Sequence, residues 1–328
     1  MALPVLQPVK RRRRRRRGRR LLALAVLAAA VGAGAWWRFG DGGHGAESHA
    51  APSRIPVVLS VSHAEPPHRA GPLLVGRPAL RGHRVRLTAR SAILVDARSG
   101  RVLWALRAHR KRPIASTTKI MTALLALRRL GPRDFVTVDP KATRVPLVKE
   151  GLRPLERVRA WKLLYGLLLY SGNDDAVALA IASAGSRPAF LALMNHEAKR
   201  LGLHDTHFST PSGVLDSRNY SSAWDLAALT RVAMRNARFR RIVRTRVAHV
   251  PWSAPTYAKV YLNKNLLLGT YQGANGVKTG YTSKAGHCLV ASARRGKVEL
   301  IAVVLRARDD YGDARRLLDL GFREVRSG

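Results

Sequence analysis

Antiparallel β-structure at both ends of a segment with helices between them predicts an α+β fold: an antiparallel sheet flanked by helices, with an inserted helical subdomain. Three patterns carry that prediction. In "SAILVDARSGRVLWAL", residues 91–106, two apolar runs flank Arg98, Ser99 and Gly100, which is a hairpin signal. "HCLVASARRGKVELIAVVLRA", residues 287–307, repeats it around Arg294, Arg295 and Gly296. Between the two, apolar residues recur with helical period over 119–130, 158–170, 176–184, 188–201 and 222–236, and an amphipathic helix follows at about 309–324. One sheet assembled from both ends, with the helical part at about 133–265, leaves a cleft between the two parts as the place for a site.

Along the chain, the first element is basic. Lys10, Arg11 to Arg17, Arg19 and Arg20 stand directly before "LLALAVLAAAVGAGAWW", residues 21–37, a run of 17 without a charge. A positive region followed by an apolar one is the pattern of an export signal. The run is also at the short end of a membrane span, and Trp36 and Trp37 suit the interfacial belt. Residues 1–20 are therefore expected as a cytoplasmic tail and 21–37 as a transmembrane anchor or signal peptide, with "AGA" at 33–35 as a candidate cleavage site. The positive-inside rule then puts everything after Arg38 outside the cytoplasm, which in a bacterium means the periplasm or wall space of the cell envelope. Residues 38–86 are rich in Pro, Gly, Ala and His and read as a flexible linker. Five of the eleven His lie there, at His44, His49, His63, His68 and His83, too irregularly spaced for a metal site. The folded domain is expected at 87–328.

Composition narrows the partners. A chain of 328 residues that is 46% hydrophobic can bury a sizeable core. The single cysteine, Cys288, excludes an internal disulfide framework and a cysteine-rich metal site, and its apolar neighbours place it in a buried strand. The net charge is +39; eleven of those charges precede Asp41, leaving +28 on residues 41–328. Such a surplus fits an anionic environment, or equally an arginine-rich solvated surface. Zinc-finger spacing and ribonucleoprotein-type aromatic motifs are missing from the sequence, so nucleic acid is not an expected partner.

Three short motifs carry chemistry. In "PIASTTKIMTALLAL", Ser116 and Lys119 stand at i and i+3, on one face of a helix start. A serine hydroxyl needs a base to become a nucleophile, and a lysine serves when burial and nearby positive charge depress its pKa. The alternative is a capping serine beside a solvated lysine. In "YSGNDDAVALA", Ser171 and Asn173 occupy a break between two apolar helices, either a helix cap or a polar wall of the cleft. In "NGVKTGYTSKAGHCLV", Lys278, Thr279 and Gly280 open a strand after a glycine-bearing turn, either an exposed edge or a binding edge.

Together, Ser-x-x-Lys, Ser-x-Asn and Lys-Thr-Gly in this order resemble the motif set of the penicillin-recognising serine enzymes. Longer stretches, among them "LVDARSGRVLWALRAHRKRPIASTTKIMTALLAL" and "NKNLLLGTYQGANGVKTGYTSKAGHCLVASA", resemble the low-molecular-mass penicillin-binding proteins, the serine-type D-alanyl-D-alanine carboxypeptidases, over about residues 87–325. The resemblance implies a β-lactamase/transpeptidase-like fold. It implies that Ser116 attacks the carbonyl between the last two D-alanines of a peptidoglycan stem peptide, that Lys119 takes its proton, and that Ser171 relays a proton to the leaving D-alanine. Asn173 then holds the substrate backbone and fixes Lys119, while Lys278 and Thr279 bind the terminal carboxylate. Gly280 permits close approach to the strand, and the backbone N–H groups of Ser116 and Tyr281 form the oxyanion hole. It implies no metal or organic cofactor, and β-lactam antibiotics as inhibitors. Rival readings are a D,D-endopeptidase cleaving cross-links, a serine β-lactamase, and a non-catalytic wall-binding or antibiotic-sensing module. Against the β-lactamase, the loop 204–221 contains no Glu, and Glu197 lies in an expected helix without a following Leu-Asn.

Overall fold

The computed structural model describes residues 74–80, 82–214, 218–253 and 256–324. The expected tail, the apolar run at 21–37 and most of the linker lie outside the described residues, and the described ones all fall in the unit Ser60–Gly328.

Both hairpins form where the apolar runs place them. In chain order, β1 (Ser91–Asp96) turns into β2 (Val102–Leu106), followed by the short β3 (Arg112–Pro113), a 3₁₀ turn (Ala115–Thr118) and α1 (Lys119–Arg129). The middle holds β4 (Phe135–Thr137), α2 (Pro140–Thr143), β5 (Arg157–Arg159), α3 (Ala160–Tyr165), a π-helical turn (Gly166–Tyr170), α4 (Asn173–Ala184), α5 (Arg187–Arg200), β6 (Tyr220–Ser221), α6 (Ala223–Ala233), α7 (Ala237–Arg244), β7 (Val247–Val250) and β8 (Lys259–Leu262). β9 (Ala274–Thr282), β10 (Gly286–Arg295), β11 (Val298–Ala307) and α8 (Asp310–Glu324) close the fold.

The main sheet has the order β2-β1-β11-β10-β9, antiparallel throughout, so the two chain ends join through β1 and β11, where Ile93 faces Val303. Alternation along the strands divides the core in two. Ile93, Val290 and Val303 pack with the helical part, whereas Leu94, Leu289 and Val304 pack with Leu317, Leu318 and Phe322 of α8. This leaves β9 as an edge strand beside the start of α1.

Four features differ from the sequence reading. The stretch 158–170 is not one helix: Val158 pairs with Val136 in the β4–β5 ladder, and the helix that follows widens into a π turn at Gly166. α4 starts at Asn173, three residues before the expected 176, because Asn173 itself bonds backward to the preceding loop. The insertion is not purely helical; it carries the β7–β8 hairpin, with His249 opposite Val260, and α7, whose Phe239, Ile242 and Val243 are buried. The folded part also starts before 87. The Val75 and Leu80 N–H groups donate to Gly100 O (2.9 Å) and Leu103 O (2.8 Å), and Trp104 Nε1 donates to His83 O (3.0 Å). These contacts cover the otherwise free edge of β2, the usual treatment of an exposed strand edge. Among the described residues no single helix is long and apolar enough to cross a membrane; α4 and α5 reach that composition only as a pair bent by 85°.

Candidate active site

The 3₁₀ turn that opens into α1 sets the first motif. Ala115 adopts φ +47°, a left-handed conformation uncommon for a residue with a Cβ, and the turn closes through Thr117 N–H donating to Ile114 O at 3.2 Å. Ser116 and Lys119 thereby share one face. Lys119 is wholly buried, and its Nζ lies 3.0 Å from Ser116 Oγ, 2.8 Å from Asn173 Oδ1 and 3.0 Å from Ser212 O. Burial pushes its pKa well below the ordinary lysine value; the nearby Lys278 pushes the same way, opposed by Asp175. Asn173 Oδ1 and the Ser212 carbonyl can only accept. A neutral Lys119 therefore spends both N–H groups on them and turns its lone pair to the Ser116 hydroxyl.

The second motif is held by backbone strain and by a loop. Ser171 ends the π turn with φ +73°, a second left-handed non-glycine residue beside the cleft, and it is buried. Asn173 is tied on both sides: its N–H donates to Val148 O at 2.9 Å and its Nδ2 to Pro146 O at 3.2 Å. These bonds leave Oδ1 aimed at Lys119. Asp174 accepts from the N–H groups of Glu150 (2.8 Å), Gly151 (2.8 Å) and Leu152 (3.2 Å), which fastens the 146–152 loop to the start of α4.

The third motif lies on edge strand β9. Lys278 is buried, and burial, reinforced by Lys264, lowers its pKa to about 7. Its Nζ donates to Thr279 O at 3.0 Å. A Cβ on Gly280 would stand 3.0 Å from Ser116 N and 3.1 Å from Ile114 O and Thr117 N. Glycine there lets β9 lie against the chain's own 3₁₀ turn, whose backbone a side chain would have to push back by a few tenths of an ångström. Thr279 is half-buried, and Tyr281 is exposed with its ring 4.7 Å from that of His287. All three motifs named from the sequence converge on this cleft.

Residues 79–309 match the model of the peptidase family described as D-alanyl-D-alanine carboxypeptidase. The chain belongs to that family. It is 34% identical over 243 residues to the D-alanyl-D-alanine carboxypeptidase DacF of Bacillus subtilis, covering 71% of this chain and 62% of DacF. To DacA of Escherichia coli K12 it is 37% identical over 254 residues, covering 73% and 62%. The chain thus spans about three-fifths of the length of these curated relatives. The Streptomyces K15 DD-transpeptidase superposes with a TM-score of 0.69 at 32% identity over 74% of this chain and 99% of that one. A D-alanyl-D-alanine carboxypeptidase from Mycobacterium tuberculosis H37Rv gives 0.68 at 35% identity over 73% and 94%. The β-lactamase/transpeptidase-like α+β architecture expected from the motifs is therefore present.

Within this family member, three contributors escaped the sequence reading. The loop 209–214 supplies the Ser212 carbonyl, and Asn219 shapes it: Oδ1 accepts from Ser209 N (2.7 Å) and Thr210 N (2.9 Å), while Nδ2 donates to Thr118 Oγ1 at 3.1 Å. Gly213, at φ +76°, lies so close to the nucleophile turn that a Cβ would meet Ala115 O at 1.9 Å. The available signal was the turn-forming "STPSG". Lys264 sits at the rim with Nζ 4.7 Å over the Tyr170 ring; nothing local in "NKN" distinguishes it. Behind the second motif, Glu150 accepts from Lys259 Nζ at 2.9 Å and from the Tyr261 hydroxyl, and lies against Asp175. Burial first and Glu150 second raise Asp175 well above the ordinary carboxyl range. As carboxylates, Asp175 Oδ1 and Oδ2 and Glu150 Oε2 would all lack a donor. One proton on Asp175, hydrogen-bonded to Glu150 Oε2, serves two of the three and leaves the second Asp175 oxygen without a donor among the described residues.

Proposed function

We propose that this protein is a serine D-alanyl-D-alanine carboxypeptidase that removes the terminal D-alanine from peptidoglycan stem peptides through an acyl-enzyme on Ser116. The observation that carries the proposal is Lys119: wholly buried, depressed in pKa, 3.0 Å from Ser116 Oγ, with two pure acceptors occupying its other positions. Lys119 takes the Ser116 proton as Oγ attacks the carbonyl. The N–H groups of Ser116 and Tyr281 hold the oxyanion, each donor of this kind being worth about 3 to 4 kcal/mol. Ser171 passes a proton to the departing amine, Asn173 steadies the peptide backbone, and Lys278 and Thr279 receive the terminal carboxylate. Gly280 keeps β9 and the nucleophile turn in register. Water then frees the acyl group.

β-Lactams acylate the same serine, so fluorescent penicillin should label the wild type and leave Ser116→Ala unlabelled; equal labelling of both would remove Ser116 from the mechanism. Mass spectrometry on a defined pentapeptide should show loss of one D-alanine. The likeness to a protein solved as a DD-transpeptidase favours a second reading, in which an amine replaces water as acceptor. Adding an amino-acid acceptor decides it: a new peptide bond marks transfer, and free tetrapeptide marks hydrolysis. Cleavage of a cross-linked dimer would mark an endopeptidase instead. The basic and apolar N-terminal pattern supports an anchored, extracytoplasmic enzyme acting in the cell envelope. External protease on spheroplasts should then degrade the domain.

A further inference from the structure

The groups assigned to the reaction are spaced in order along the free edge of the sheet: Lys278 and Thr279, then Gly280 against Ser116, then Tyr281. On the proposed function, a peptide on this edge has its terminal carboxylate at Lys278 and its scissile carbonyl at the Tyr281 N–H. Its earlier residues therefore run antiparallel to β9, towards Thr282 and the turn into β10. At that end the surface opens into a recess of about 490 Å³ lined by Pro113, His207, Arg218, Asn219, Tyr220 and Lys284. Its floor is the β3–β6 ladder, where Pro113 faces Tyr220, so it begins three residues before the nucleophile.

The recess has one electrical sign. Arg218 and Lys284 supply two cations, Lys111 Nζ adds a third 5.5 Å over the Tyr220 ring, and no lining residue is acidic. Among the described residues, neither Arg218 nor Lys284 has an acidic partner within ion-pair distance. From Gly280 to the end of β9 is two residues, about 7 Å at the rise of an extended strand, after which a lysine side chain spans the rest. An extended ligand covers that distance with the second and third residues upstream of the scissile bond. Stem peptides carry carboxylates there, on the γ-linked glutamyl residue and, where the branching residue is a diaminodicarboxylic acid, on its side chain.

We propose that this recess is a substrate subsite for an upstream stem-peptide carboxylate, with Lys284 and Arg218 as its cations, so that the protein prefers stems whose upstream carboxylate is not amidated. The proposal rests on the D-alanyl-D-alanine peptidase reading. It is tested with the full chain in detergent and pentapeptides identical except for a carboxylate or a carboxamide, placed at the third upstream residue in one pair and at the second in another. The acid form of at least one pair should show kcat/KM about three- to tenfold above its amide, the range of a partly solvated charge contact, and the gap should narrow as salt rises. Lys284→Gln should lower turnover of that acid peptide towards that of its amide, leave the amide unchanged, and leave the rate of penicillin acylation at Ser116 unchanged. Arg218→Gln should repeat the pattern. Whichever pair shows the gap identifies the source of the carboxylate. Equal rates within both pairs, or equal losses on acid and amide in Lys284→Gln, overturn the subsite while penicillin acylation still supports the peptidase. No turnover of any peptide and no labelling overturn the peptidase reading and the subsite with it.

Discussion

Lys119 and Lys278 are both buried lysines in one cleft, and their partners give them different work. Lys119 has two acceptors and a hydroxyl, a set suited to a base; among the described residues, the Lys278 ammonium hydrogen-bonds only the Thr279 carbonyl and keeps hydrogens for an incoming anion. Replacing Lys119 by Met should cut the rate of penicillin acylation at least about a hundredfold, as expected on loss of a general base, with near-ultraviolet circular dichroism unchanged. Stopped-flow fluorescence reads that rate. Lys278 predicts a pH effect on stability. Its folded pKa of about 7 lies below the ordinary 10.5, so between those values the unfolded chain holds a proton that the folded chain has released. Stability therefore rises with pH across that window. Calorimetry should show the unfolding midpoint climbing from about pH 7 to about pH 10, and Lys278→Met should remove much of the climb, a shift of this size being worth at most about 5 kcal/mol.

At the scale of elements, the junction between the π turn, the 146–152 loop and β8 holds an acid whose charged form burial and Glu150 disfavour. Asp175 has a folded pKa raised above its unfolded one, so its contribution is complete below the unfolded value and is lost as pH rises through the folded one, opposite in sign to Lys278. Asp175→Asn keeps a donor towards Glu150 without that titration and should change stability at neutral pH by under about 1 kcal/mol. Asp175→Ala strands Glu150 Oε2 and should cost about 2 to 3 kcal/mol in chemical denaturation. The same junction shows where sequence patterns stop being informative. Residues 158–170 hold enough leucines at helical spacing to read as one helix, yet a Cβ on Gly166 would stand 1.9 Å from Glu150 Oε2 and 2.5 Å from Asp175 Oδ2. The widened turn answers to side chains distant in sequence, which no local period encodes. The two hairpins and the edge strand β9 were legible because alternation and turn residues are local. Ser116, Lys119, Asn173 and Lys278 were legible because their motifs are short and ordered. The Ser212 carbonyl was not, since any residue has one and only the fold selects which is used; Lys264 likewise gains its importance by arriving beside Lys278 from another element.

For the whole molecule, the dominant quantity is charge. The +28 on residues 41–328 remains after the N-terminal basic run is set aside, and the described ion pairs engage only a minority of the arginines and lysines. A surplus on this scale raises the local concentration of anionic polymer around the protein, and the site itself contributes through Lys264 and, below about pH 7, Lys278. Exposed charges act over about 8 to 10 Å at physiological ionic strength and over about 3 Å at 1 M, so any attraction to wall polymer must weaken as salt rises. The full chain should therefore sediment with isolated cell wall at low ionic strength and release progressively towards about 1 M salt. Ser116→Ala should follow the same curve, because the attraction precedes and does not require acylation. Retention that ignores salt would mean that shape or covalent capture, rather than charge, holds the protein to the wall. Retention that fails in Ser116→Ala alone would assign it to the acyl-enzyme.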